Sequence, residues 1–440
     1  KTMERNIKNI KKSFEIGVFI IILGCALGAI TVLDNALALS IVLLIFLSLV
    51  TFFLLHFQRF KERNLYQLFL IVILIHFGLV LFLHYTQFYP FGGGRDDLFY
   101  HQTAVQITER FKEGNFSLSG IDIPHWYPVF LGALYSITLP DMLIGKSICC
   151  IWLAGISAVL TYLIVREIGC SKKWAFITGL FLSSAYSSYL FYGSLLLKDT
   201  LIVPLVLFGL LLIIRLLSSF NWKNFIIFII VFGVLITLRF YTGVVLLFTF
   251  ILSYFFVSKT RISKKIIYSI IIILVLGFAA QFLGYGFLGI NQIKNLMSPE
   301  SIASFRETGY SHGESATHIE ADFNGPLSFL KYYIPSFLNA LFAPFPWQMR
   351  SFTYIFSFIE IIPWYFIFFF ALKGFKNNFH FNKRILPLFI FGFGLIAAVA
   401  LFSDNLGANM RLRMAAFFSF GCLAPLGFQK KYDERQGQKA

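Results

Sequence analysis

Residues 36–56, ALALSIVLLIFLSLVTFFLLH, and residues 67–86, QLFLIVILIHFGLVLFLHYT, are two apolar runs without a single Asp, Glu, Lys or Arg. The ten residues between them, FQRFKERNLY, hold Arg59, Lys61, Glu62 and Arg63. At 1.5 Å per residue, each run makes a helix of about 30 Å, the thickness of a bilayer's hydrocarbon core. The stretch therefore reads as two membrane-crossing helices joined by a basic turn. Outward from it, similar runs recur near 15–33, 147–165, 174–192, 200–216, 224–238, 242–257, 266–283, 349–371, 385–402 and 412–428. Twelve spans in all place both termini on one side. The expected fold is an all-α polytopic membrane protein, a single transmembrane domain over residues 1–440. The hairpin 14–56 stands as an extra N-terminal module. Composition agrees: 13% of residues are Asp, Glu, Lys or Arg, against about 25% in soluble domains.

A formal charge of +16 is what a nucleic-acid binder would show, but its distribution argues otherwise. Two thirds of the 37 Lys and Arg fall in the terminal segments and in the short loops on the side of the termini, around Arg59, Arg166, Lys172, Arg215, Lys259 and Lys383. That is the positive-inside pattern of a plasma (inner) membrane protein with cytoplasmic termini, and it leaves no nucleic-acid partner. The five Cys match no zinc spacing and read as small apolar residues. The first run reads as a full span without a small-residue cleavage site, so no cleavable signal peptide is expected.

Two segments on the other side are too long for simple turns, 87–146 and 284–350. Their apolar stretches Tyr127–Leu139 and Leu327–Phe345 are expected to be interfacial or re-entrant. The first opens with Pro90-Phe91-Gly92-Gly93-Gly94-Arg95-Asp96-Asp97-Leu98-Phe99-Tyr100-His101. Tyr100, Ala104, Ile107 and Phe111 then recur at helical spacing, which predicts an amphipathic helix along the membrane surface. Three short loops reach the same face: Lys198-Asp199, Leu238-Arg239-Phe240-Tyr241, and Ser403 to Arg413 with Asp404, Arg411 and Arg413. The second long segment adds Arg306, His312, Glu314, His318, Glu320, Asp322, Trp347 and Arg350.

Carboxylates at such a face can serve as a general base or hold a divalent cation. Arginine and lysine suit a phosphate, arginine in a bidentate manner. Together they fit a lipid-phosphate-linked sugar donor, with Asp96 and Asp97 as catalytic candidates and Arg239, Lys198, Arg411 and Arg413 as donor-phosphate candidates. Arg95, Tyr100, His101, Asp199 and Tyr241 are candidates for acceptor or sugar contacts. A divalent cation is the one cofactor considered, and nothing in the sequence requires it. Plainer alternatives exist: an Asp-Asp pair can be solvated, Lys198-Asp199 can be a local ion pair, and Arg411 and Arg413 can anchor a helix at the interface. His312, His318, Glu314, Glu320 and Asp322 match no zinc motif. Glu360, near the middle of the tenth run, is either functional or a hydrogen-bond partner of a neighbouring helix.

The stretch from Asp96 to Leu201 resembles the GT-C superfamily of membrane glycosyltransferases. Within it, the branch of protein O-mannosyltransferases and the lipid A aminoarabinose transferase is most similar. The resemblance is carried by Asp96-Asp97, Tyr100 and Ala104, then by His125-Trp126-Tyr127-Pro128 entering Val129–Tyr135, by Leu160–Lys173, and by Leu196-Leu197-Lys198-Asp199. It implies a polyprenyl-phosphate-linked sugar as donor, a glycan, lipid or protein acceptor, an extracytoplasmic site, and Asp96 as the base with Asp97 in support. O-antigen polymerases and ligases offer a second resemblance, in span number, a long late outer loop, and Arg239, His312, His318, Arg411 and Arg413. Their donors are polyprenyl-diphosphate-linked glycans. A carrier of lipid-linked sugars is a third class. The halves show no clear repeat, and two long one-sided loops suit an enzyme better than alternating access.

Overall fold

The computed structural model describes residues 35–58, 60, 62–88, 96–123, 125–257, 306, 326–348, 353–403 and 405–429. Every regular element among them is helical. In chain order the helices are α1 (Asn35–His56), α2 (Arg63–Thr86), α3 (Asp96–Lys112), α4 (Tyr127–Ile137), α5 (Met142–Glu167), α6 (Lys172–Ser184), α7 (Ser187–Tyr192), α8 (Asp199–Ser218), α9 (Trp222–Leu238) and α10 (Phe240–Val257). They continue with α11 (Pro326–Phe342), α12 (Thr353–Asn378), α13 (Leu386–Phe402), α14 (Leu406–Leu412) and α15 (Met414–Phe428).

Among the described residues, six helices are long and apolar enough to cross a membrane: α1, α2, α5, α8, α10 and the stretch Lys383–Phe402 that ends in α13. They coincide with the runs expected at 36–56, 67–86, 147–165, 200–216, 242–257 and 385–402. The other runs differ. α9 and α15 are apolar but shorter. The run at 174–192 is interrupted between α6 and α7, and α12 carries the run expected at 349–371 from Thr353 onward. The runs 15–33 and 266–283 lie outside the described residues.

Burial separates an inner from an outer layer. In α5, 83% of the spanning window is buried, and in α8 72%, against 22% in α1 and 33% in α10. α5 and α8 pack on each other at the centre, and α2, α6 and α15 also contact α5. The outer helices turn Phe46, Phe53, Phe57 and Phe248 outward, as lipid-facing surfaces do.

The helix ends sort onto two faces. On one, Glu62 meets Arg166 at 3.0 Å and Lys172 at 3.5 Å, and accepts a hydrogen bond from Tyr162. Beside them Arg215 meets Glu167 at 3.1 Å and donates to Gln58 Oε1 at 3.1 Å. Three of the turns expected to be basic and cytoplasmic, those of Gln58 and Glu62, of Arg166 and Lys172, and of Arg215, are thus gathered on one end of the bundle. The opposite face carries the starts of α3 and α8 and the ends of α9 and α14.

α4 has 11 residues, about 16 Å of helix, too short to span. It lies against α3, and Gly132 permits the contact: a Cβ there would sit 2.6 Å from Ile107 Cγ2 and 3.2 Å from the Ala104 carbonyl. Thr108 Oγ1 joins the pair by donating to Ala104 O at 2.8 Å and Gly132 O at 3.1 Å. The expected surface helix is therefore half of an α3–α4 hairpin. The other stretch in question forms α11, a 17-residue helix with Pro335 inside it, packed on α13.

Candidate active site

Four helix ends converge on the Asp96 face. Asp96 and Asp97 occupy the first turn of α3, and Asp199 begins α8. Carboxylates at these positions are favoured by the positive end of the helix dipole. Arg239 is the single linking residue between α9 and α10, with extended backbone. The tight turn relies on Gly243, whose Cβ would come within 2.7 Å of Ile236 Cγ1. Arg411 sits in the last turn of α14, whose start is capped by the Asn405 side chain accepting from Ala408 N at 3.0 Å.

These residues form one chain of charges. Arg411 Nη1 lies 2.8 Å from Asp96 Oδ2, and its Nε lies 3.1 Å from Asp199 Oδ2. Arg239 Nη2 lies 2.5 Å from Asp199 Oδ1. Asp199 is buried and holds two guanidinium groups. Asp96, with its side chain 42% exposed, is the open end. Asp199 pairs with these two arginines, and no ion pair with its neighbour Lys198 forms. Burial first, and then the adjacent Arg239, push the Lys198 ammonium down to about 7. The Arg411 guanidinium is held above its ordinary value because Asp199 and Asp96 outweigh its burial.

Adjacent residues on a helix point about 100° apart, so α3 divides its candidates between two faces. Asp96 and Tyr100 share one. Tyr100 is buried, its ring 4.8 Å from that of His125 and 5.6 Å from that of Tyr127. Burial and then Asp96 raise its phenol, so it stays a hydrogen-bond donor. Asp97 and His101 share the other face. Asp97 is buried, accepts from Leu98 N at 2.9 Å, and has no partner for Oδ2. His101 Nδ1 is 3.1 Å from Tyr135 Oη. Burial lowers its imidazole, and Asp141, Lys146 and Asp97 are among its charged neighbours. Lys146, also buried, has Asp97 and Asp141 as its own.

Arg413 stands apart from the donor-phosphate group expected for it. Two residues beyond Arg411, it faces the opposite way, into the bundle. There it donates to Ala340 O at 3.1 Å and Ala343 O at 2.7 Å, with its guanidinium 4.7 Å above the Phe417 ring. Tyr241 lines Arg239, its ring 5.9 Å from the guanidinium carbon and 5.9 Å from the Phe402 ring. Arg306 is likewise turned inward, donating to Tyr332 Oη at 2.7 Å and Ala400 O at 3.2 Å. Trp347 is exposed and stacks on Phe345. Arg95, His312, Glu314, His318, Glu320, Asp322, Arg350 and Asp404 lie outside the described residues.

One residue of the site was quoted in the sequence without a role. His125 is 8% exposed, and neither ring nitrogen has a hydrogen-bond partner. Burial and then Lys198 and Arg239 push its imidazole down to about 3, so it is neutral. It offers one donor and one acceptor beside the charge cluster. The sequence signal was available: a His opening the Pro128 motif a few residues before an apolar helix. Among the described residues, no three His, Cys, Asp or Glu side chains gather as a metal site would need.

The arrangement is that of a helical membrane protein in which an exposed carboxylate, a buried one and two arginines meet at one end of the bundle. Residues 131–284 match the family model for dolichyl-phosphate-mannose-protein mannosyltransferases. The match bears out the GT-C resemblance and supports a membrane glycosyltransferase. It covers about a third of the chain. It includes Lys198, Asp199, Arg239 and Tyr241, and excludes Asp96, Asp97, His125 and Arg411. No curated protein matches the chain.

Proposed function

We propose that this cluster transfers a sugar from a polyprenyl-phosphate-linked donor to an acceptor hydroxyl, with Asp96 as the base. The observation that carries the proposal is the bridge made by Arg411, whose guanidinium touches both Asp96 and Asp199. A carboxylate at the open end and cations behind it are what direct displacement requires. Asp96 takes the proton of the acceptor hydroxyl as that oxygen bonds to the anomeric carbon. The bond from that carbon to the phosphate oxygen breaks, and its electron pair leaves with the phosphate. Arg239, Lys198 and Arg411 stabilise the departing charge. Attack from the face opposite the leaving group inverts the anomeric centre. The neutral His125 and Tyr100 supply hydrogen bonds to the sugar or phosphate. The positive charge comes from side chains, and no step calls on a divalent cation.

The six qualifying helices are part of twelve spans in a plasma membrane, with cytoplasmic termini and the Asp96 face outside. The acceptor is a glycan, lipid or protein of the cell envelope.

The test is a mass-spectrometric glycan profile of the envelope in wild type, a deletion, and deletions carrying Asp96→Asn or Arg411→Gln at equal expression. Loss of one sugar from one glycan in the deletion and in Asp96→Asn supports the transferase. If long polymer collapses to single repeats while Asp96→Asn rescues fully, the chain is a polymerase using a diphosphate-linked donor, and Asp96 is not its base.

A further inference from the structure

Beneath the charge cluster, the run at 174–192 breaks at Ala185–Tyr186, and α7 begins with Ser187 and Ser188. The partner of that new helix start comes from another helix. Glu360 of α12 accepts from Ser188 N at 2.6 Å, Ser187 Oγ at 2.5 Å and Ser188 Oγ at 2.9 Å. One carboxylate thus serves a helix start that otherwise leaves its first N–H groups unpaired inside the bundle. At the break Tyr186 is buried with its ring 5.2 Å from that of Phe417, and a cavity of about 100 Å³ adjoins it, lined by Phe181, Leu182, Tyr186, Trp364, Ile367 and Phe417.

α7 is one and a half turns long and packs against α14, the helix that carries Arg411. Its last residue, Tyr192, has Arg411, Glu360 and Asp199 as charged neighbours. Beyond it, five residues lead to Lys198 and Asp199. Glu360 also faces Arg413, which leaves the α14–α15 junction on the side opposite Arg411. Two routes therefore run from this carboxylate to the cations of the site, one through α7 and one through Arg413.

We propose that Glu360 is a positioning residue: by capping α7 and facing Arg413, it holds Arg411 and the Lys198 loop where a donor phosphate is received. The inference rests on the reading of those cations as a phosphate site. The probes are farnesyl phosphate and farnesol, which share an apolar tail and differ in the phosphate. Binding of each to the detergent-solubilised full chain is compared in wild type, Arg411→Gln, Glu360→Ala and Glu360→Gln, with thermal midpoints measured in parallel.

Wild type should prefer farnesyl phosphate, and Arg411→Gln should lose that preference. Glu360→Ala should reduce the preference by about tenfold. Glu360→Gln keeps an acceptor for Ser188 N but loses the charge facing Arg413, and should reduce it by about threefold. General loosening of the fold would weaken both probes alike and leave the preference intact. If Arg411→Gln loses the preference while folded Glu360→Gln and Glu360→Ala retain it in full, Glu360 is a structural cap only and the inference fails. A Glu360→Ala protein that does not fold leaves Glu360→Gln to decide. If wild type shows no preference for the phosphate, the reading of the site fails, and the inference with it.

Discussion

Asp96 and Asp97 are neighbours in sequence with different surroundings. Asp96 is the open end of a charge chain through Arg411 to Asp199 and Arg239. Asp97 is buried on the other face of α3, with Lys146 among its charged neighbours. The two Asp→Asn variants should therefore fail differently. Asp96→Asn should lower transfer by about 100-fold or more, the usual loss when a general base is removed, with the thermal midpoint unchanged. Asp97→Asn leaves the buried Lys146 less compensated, so its main effect should be a lowered midpoint in a thermal melt. Lys198 gives a pH test. In the folded protein it is pushed down to about 7 from the ordinary 10.5. The ammonium is thus present below pH 7 and lost as pH rises through it, whereas the unfolded chain keeps its proton to about 10. Two opposite trends follow between pH 6 and 9. The unliganded protein gains stability as the cost of burying this charge disappears. Affinity for an isoprenyl phosphodiester, whose own charge is constant over that range, declines. Lys198→Met should remove most of both slopes, and a wild-type affinity independent of pH would exclude Lys198 from the phosphate site. In the sequence, Lys198, Arg239 and Arg411 are legible because each is a charge beside an apolar run, and Asp96 because it follows three glycines at the start of an amphipathic stretch. That Asp199 joins Arg239 to Arg411 is not, since their loops are far apart in the chain. Nor is the inward turn of Arg413, which depends on where α14 ends.

At the level of the helices, the length of an apolar run identifies a candidate span, and length alone does not show a break. The run 174–192 passes as one span, yet Ser187-Ser188 offers side chains that compete with the helical backbone for hydrogen bonds. The break then settles where a distant carboxylate, Glu360, takes up those donors. Its physical cause lies 172 residues away, outside the reach of any local pattern. The α3–α4 hairpin is the converse case. Its amphipathic spacing was legible, but its partner was not, because the contact is made by Gly132 having no side chain. Gly132→Val should therefore separate α3 from α4. Overpacking of a close contact costs about 1–3 kcal/mol, so the thermal midpoint should drop. Donor-independent measures such as surface expression should suffer less than transfer, because α3 carries Asp96. A Gly132→Ala protein should lie between wild type and Val in both readouts, since only Cβ then meets Ile107. Equal activity of all three proteins would mean that the α3–α4 contact does not orient the carboxylate.

At the scale of the whole molecule, the charge pattern and the contacts agree on a division into two faces. Glu62, Arg166, Lys172, Glu167 and Arg215 meet at one end. Asp96, Asp199, Arg239 and Arg411 meet at the other. Basic residues dominate the loops of the first end, so it should be cytoplasmic. Phe116, in the α3–α4 loop, and Phe381, just beyond α12, are 73% and 61% exposed, and each can carry a reporter thiol. The native Cys149, Cys150, Cys170 and Cys422 are buried, so they should react slowly, and the parent chain supplies the background. With a membrane-impermeant maleimide on intact spheroplasts, Phe116→Cys should label at once, and Phe381→Cys only after permeabilisation. The reverse pattern would invert the molecule and move the charge cluster to the cytoplasm, where an extracytoplasmic acceptor cannot reach Asp96. Labelling of both from one side would mean that the number of crossings between residues 116 and 381 is even. That would change the expected set by one span: either the 17-residue α9 does not cross, or α11, expected to be interfacial or re-entrant, does.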